Sequence, residues 1–325
     1  MADVGSPAQL ARPRELWIDV VRGEMVLLII VFHSTSLLRY SGVPAPTHLI
    51  TFNALSEPYW LPTFSFVSGI LADSSMNANA REYYVDKART VLYPFVVWTV
   101  VYAIVFRVPA NLDSAVQLAT GGTYLFFLAY LFAFDVVSYS LRRVHPWIIA
   151  GAALAISAVA PSRFPSVPER FTERFWYLLA MFTLGRCAYR RPQLWRRLQH
   201  SKATLVTATC ASVAGALVAT KGVRVSYRWE WAWSPALAMV LFARAAQTIE
   251  DVSGSRALRF VGQNSIVFYT AHFPVAYGVI RRSKSRCGRS GWRDVATAAV
   301  VSLAASTALA WSRRRSAVAE RLFSA

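Results

Sequence analysis

The first long apolar stretch, WIDVVRGEMVLLIIVFHSTSLL from Trp17 to Leu38, carries an arginine and a histidine with ten residues between them. On a helix, eleven steps of about 100° make three turns plus about 20°, so Arg22 and His33 share one face. At about 1.5 Å rise per residue they stand roughly 16 Å apart along the axis. Asp19 precedes Arg22 by three positions, on the same face and within reach of an ion pair. Glu24 lies about 200° round from Arg22 and points elsewhere. One stripe thus holds Asp19, Arg22, Val26, Ile29, His33 and Ser36. A neutral imidazole can take a proton near working pH, and a guanidinium binds phosphate or carboxylate through charge-assisted bonds. Such groups are costly inside a membrane, and two on one stripe point to a shared polar cavity.

Other polar residues punctuate later apolar runs. The second run carries Glu57, Pro58 and Pro62, then the small pair Ser68-Gly69. Prolines free carbonyls from the helix ladder, and small residues let a second helix or a ligand come close. A late run, FVGQNSIVFYTAHFPVAY, places Asn264 and Ser265 at its mouth and Tyr269 and His272 deeper. Asn264 and Ser265 can cap a helix start. His272 shares a face with Ser265 seven residues earlier. Lys87 and Arg89 precede the third run as candidate phosphate ligands or as ordinary loop charge. Cys187, Cys210 and Cys287 show no metal or redox spacing, and no metal site is expected.

These residues need elements to hold them. The chain has 325 residues, of which 55% are hydrophobic and only 16% charged. An ordinary soluble domain carries about 25% charged residues, so there is too little charge here to wet a surface. The composition excludes disordered, collagenous and disulfide-stapled classes and leaves an all-α, polytopic membrane bundle. Ten apolar segments have suitable length, roughly 16–38, 48–72, 90–107, 122–141, 146–161, 171–189, 203–220, 230–249, 258–280 and 294–311. Residues 1–15 read as an N-terminal tail, 16–311 as one transmembrane domain and 312–325 as a basic tail. The first segment is too long and too charged at its start to be a cleaved signal peptide.

The net charge of +18 does not point to nucleic acid, because the bases fall in clusters between apolar runs. Most loop bases lie on the side of the N-terminus, which puts both termini in the cytoplasm. The last outer loop runs against this, with Arg281, Arg282, Lys284, Arg286, Arg289 and Arg293. Such a loop meets anionic lipid or an anionic substrate, forms a snorkelling collar, or marks a ninth or tenth span drawn in the wrong place.

The combination resembles the acyltransferase-3 family of bacterial integral membrane acyltransferases. WIDVVRG with Arg22 and His33 is similar to the family's first helix, and FSFVSG (Phe64 to Gly69) to its F-x-x-SG segment. VDKARTVLYPFVVW (Val85 to Trp98) resembles its basic loop and third helix. GGTYLFFLAYL (Gly121 to Leu131) resembles its fourth-helix entry, and FVGQNSIVFYTAH its late helix. The matches follow the family's order across nearly the whole chain. The resemblance implies transfer of an acyl group, acetyl first, from cytoplasmic acyl-CoA to a hydroxyl of an extracytoplasmic carbohydrate or glycolipid. It implies acyl-CoA as co-substrate and no permanently bound cofactor. It also implies a bacterial cytoplasmic membrane and a role in modifying envelope carbohydrate. His33 matches the position held to be catalytic, and Arg22 the arginine thought to serve donor binding or site geometry, with Asp19, Lys87 and Arg89 beside it. Glu57, Ser68, Gly69, Asn264, Ser265, Tyr269 and His272 are candidate lining residues. A transporter or flippase with a buried Arg/His relay is the alternative, although neither inverted repeats nor paired broken helices are visible.

Overall fold

A computed structural model describes residues 15–119, 122–283 and 291–324. Within them the structure is helical throughout, with no strand. Arg12, Arg14, Gly121, Lys284, Arg286, Cys287 and Arg289 lie outside the described residues. The helices run α1 Leu16–Tyr40, α2 Thr47–Ser74, α3 Ala80–Lys87, α4 Tyr93–Phe106, α5 Leu112–Ala119, α6 Phe126–Ser140 and α7 Pro146–Arg163. They continue as α8 Phe175–Arg190, α9 Pro192–His200, α10 Lys202–Thr220, α11 Trp233–Ile249 and α12 Ser255–Gln263. The last are α13 Ser265–Ser283, α14 Gly291–Arg313 and α15 Ala317–Glu320.

Each of the ten apolar segments coincides with a helix or a pair of helices. Among the described residues, four helical stretches are long and apolar enough to cross a membrane: Ala80–Phe106, Pro146–Arg163, Lys202–Thr220 and Gly291–Arg313. The segment expected over 90–107 begins earlier. A π turn, Ala88–Leu92, joins α3 to α4, so Arg81, Lys87 and Arg89 sit on helix rather than in a loop. The segment expected over 258–280 is broken at Asn264, between α12 and α13. The Asn264 side chain donates to the Phe260 carbonyl at 2.8 Å, closing α12. Helix α2 runs through both Pro58 and Pro62.

Helix α1 is the hub, touching α2, α11, α12, α13 and α14. Glycines permit the tightest crossings. A Cβ at Gly69 would strike the carbonyl of Phe182, and one at Gly185 the carbonyl of Phe66, so α2 and α8 meet backbone to backbone. Gly23 and Gly262 stand in the same relation between α1 and α12. One end of this frame is fastened by charge. Asp73, in the last turn of α2, accepts from Arg186 Nε at 2.9 Å and Arg190 Nε at 2.9 Å, both on α8. The Arg186 side chain is fully buried. Tyr83 on α3 donates to Asp135 on α6 at 3.0 Å and stacks on Tyr139. At the other end, Leu37, Leu38, Ala276, Ile280, Val295 and Ala298 form a small apolar cluster joining α1, α13 and α14.

Candidate active site

Helices α1 and α13 are linked by two polar rungs. The lower one joins Arg22 Nη2 to Ser265 Oγ, the guanidinium donating at 2.6 Å. The upper one joins His33 Nδ1 to His272 Nε2 at 2.7 Å. Ser265 and His272 are seven residues apart on α13, a spacing that keeps them on one helical face. The 3.6-residue period therefore sets both rungs, and Gln263 supports the lower one by donating to Asp19 Oδ2 at 3.1 Å. Asp19 is buried.

The upper rung has a defined polarity. His272 Nδ1 lies 2.9 Å from the carbonyl of Phe268, which can only accept, so Nδ1 carries the proton. A neutral His272 then presents an Nε2 lone pair, and His33 donates to it through Nδ1–H. The free lone pair of His33 is thereby on Nε2. His272 is fully buried, whereas His33 is partly accessible. Aromatic rings enclose the pair. Phe273 and Phe32 lie 5.1 and 5.5 Å from His33 edge to face, and Tyr124 lies 6.2 Å away. Tyr124 donates to the Thr270 carbonyl at 2.5 Å, and Tyr269 donates to the Tyr124 carbonyl, which pins both rings.

Below the rungs a cavity of about 310 Å³ opens beside Arg22. Lys87, Arg313, Ser68, Ser265 and Tyr269 line it, and Phe64 lies under the Arg22 guanidinium at 5.6 Å. The π turn contributes Thr90 and Val91 to the wall, a placement often met where a helix is adapted to a site. Asp135 is the acid on its lining, and Tyr83 holds it. Phe323 and Ser324 close one side, where Tyr93 and Trp98 donate to the carbonyls of Arg321 and Leu322.

The structure thus brings Arg22, Lys87, Ser68, Ser265 and Tyr269 to one cavity, and His33 and His272 to one hydrogen bond above it. Gly69 packs against α8, and Asn264 closes α12, so neither lines the cavity. Arg89 is exposed and outside it. Glu57 lies apart, beside Arg174 and Ser226. It belongs to a polar region where Arg224 and Arg228 hold Glu169, Glu173 and Glu230. Arg313, Tyr124 and Phe273 are not among the site residues expected from the sequence. Arg313 looks like tail charge, and aromatic residues in a chain with 14% of them carry no signal. Among the described residues no group of three or more His, Cys, Asp or Glu is placed to hold a metal.

Known proteins match this chain as follows. A family model described as an acyltransferase domain matches residues 15–312. The nodulation protein NolL of Mesorhizobium japonicum (strain LMG 29417 / CECT 9101 / MAFF 303099) is 27% identical over 180 residues, covering 52% of this chain. The match takes in 48% of that protein, so it spans about half the length of this relative. No solved structure matches.

Proposed function

The chain belongs to the acyltransferase-3 family, and from that premise we propose that it moves an acyl group, acetyl first, from cytoplasmic acyl-CoA to a hydroxyl of an extracytoplasmic carbohydrate or glycolipid. It is a membrane acyltransferase; donor, acyl group and acceptor are the proposal. The observation that carries it is the His33–His272 hydrogen bond above a cationic cavity. In the mechanism, His33 Nε2 takes the proton of the acceptor hydroxyl as its oxygen attacks the thioester carbonyl. The tetrahedral intermediate collapses with loss of the CoA thiolate, and the thiolate takes the proton back from His33. The products are an ester and free CoA. His272 holds His33 in the productive tautomer and shares the charge of the transient imidazolium.

The donor enters from the Arg22 end. Arg22, Lys87 and Arg313 form a site for its phosphates, since all three line a cavity with one carboxylate, and that one is bound to Tyr83. Ser68 and Asp19 shape the site, and Ser265 positions Arg22. The roughly 16 Å from Arg22 to His33 suits a thioester arm threaded along α1. In the membrane we place ten spans, with both termini cytoplasmic, so that the cavity faces the acyl-CoA pool.

Two measurements test this reading. Purified protein with acetyl-CoA and an envelope glycolipid fraction is expected to release CoA, and His33→Ala to lower the rate by about 10²–10⁴-fold. A folded His33→Ala protein working at full rate would remove the base. Substrate flux through liposomes without CoA release would favour the transporter. For orientation, the native cysteines are changed to serine and single cysteines placed at Ala110 and Ala317. In right-side-out vesicles an impermeant thiol reagent is expected to label the first and spare the second. Labelling of both, or only the second, overturns the arrangement.

A further inference from the structure

A second site lies at the opposite end of the same helices. Two adjoining clefts of about 610 and 350 Å³ share Val105, Tyr277 and Arg281. Arg282 completes the polar side of the larger, and Arg107 and Ser41 that of the smaller. Among the described residues lining them there is no carboxylate. The remaining wall is aliphatic, with Val275, Val279 and Val301. Val105 and Val301 are exposed, and their helices are two of those long and apolar enough to cross a membrane, so this wall opens sideways toward lipid tails.

Three further observations mark the place. Arg107 ends α4 with φ of 53°, a left-handed conformation usually left to glycine. Ring contacts lead from it toward the histidines: Phe106 meets Tyr277 at 4.3 Å and Phe273 at 5.7 Å, and Phe273 meets His33 at 5.1 Å. Lastly, a cluster of arginines at the end of α13 runs against the charge bias that orients the other loops.

We infer that these clefts bind the phosphate of a membrane lipid, with the phosphate on Arg107 and Arg281 and the chain against Val105, Val279 and Val301. Guanidinium forks match phosphate oxygens, and none of the described residues lining the clefts beside Arg107 and Arg281 is an acid. Ser41 is eight residues beyond His33, roughly 12 Å along the axis. That separation is on the scale of a reacting unit carried by such a phosphate and turned toward His33. The phosphate comes either from the carrier of a lipid-linked acceptor or from a bulk anionic phospholipid. The site needs no acyl transfer to exist, so binding tests it separately from the proposed activity.

The test titrates purified full-length protein in mixed micelles with phosphatidylglycerol, phosphatidylcholine and decaprenyl phosphate, reading bound lipid by native mass spectrometry. Phosphatidylglycerol and decaprenyl phosphate are expected to bind, and phosphatidylcholine at least about tenfold more weakly. The double variant Arg107→Gln, Arg281→Gln is expected to lose at least about tenfold in affinity for both anionic lipids. The pair Arg107→Lys, Arg281→Lys is expected to fall between, because it keeps the charge and loses the fork. If the double glutamine variant does not fold, Arg281→Gln alone, an exposed side chain, decides. Decaprenyl phosphate displacing phosphatidylglycerol at tenfold lower concentration assigns the site to an acceptor carrier; equal competition assigns it to bulk lipid. Unchanged affinity in the variants, equal binding of phosphatidylcholine, or no binding at all overturns the inference.

Discussion

At the scale of single residues, the informative group is His272 rather than His33 alone. Its Nδ1–H is committed to the Phe268 carbonyl, which leaves its Nε2 able only to accept from His33. His272→Phe removes that acceptor while keeping a ring, so His33 loses its fixed tautomer. We expect kcat to fall about 10²-fold or more, with KM for acyl-CoA little changed, since the cavity proposed for the donor lies below the rung. His272→Gln returns a side-chain acceptor and is expected to recover part of the loss. Equal losses in both variants, or a change confined to KM, would make His272 a packing residue. The sequence shows the shared face of Ser265 and His272 but not the partner, because His33 lies 239 positions away and periodicity carries no information across helices.

At the scale of elements, the end of the bundle nearest Arg22 depends on the Asp73 bracket. Arg186 is fully buried, and its compensating carboxylate comes from α2. Asp73→Ala leaves a buried cation without its partner, which costs about 3–5 kcal/mol. The expected readout is a lower thermal midpoint in detergent, larger than that of Arg190→Ala, whose side chain is 35% exposed. Equal midpoints for Asp73→Ala and the wild type would show that the bracket contributes nothing. Each apolar run that hydropathy marks falls on helix, because burial in lipid or core asks for the same residues over the same length. Hydropathy missed the break at Asn264, where a side chain replaces the ladder within an otherwise apolar run. It also placed Lys87 in a loop, although the charged turns of α3 lead through a π turn into α4 without interruption. Glu57 illustrates the opposite limit: its type marked it as costly, but its place beside Arg174 and Ser226 depends on a π turn and a loop far along the chain.

At the scale of the molecule, the Arg22 cavity and the Arg107–Arg281 clefts lie at opposite ends of α1, with the histidine rung and its rings between them. The middle layer is close-packed: Tyr124 stacks on Phe273 at 4.4 Å, and Tyr269 is fastened to the Tyr124 backbone. That layer has an electrical consequence. A protein joining two aqueous compartments through a polar centre risks short-circuiting the gradient that powers the cell. Here aromatic rings enclose the midpoint, and among the described residues the His33–His272 pair makes no further side-chain hydrogen bond that would carry its proton away. Liposomes carrying the protein should therefore hold an imposed pH difference as long as empty ones, read by an internal pH dye. Faster decay would mean that the seal leaks, and would return the relay of a transporter to consideration.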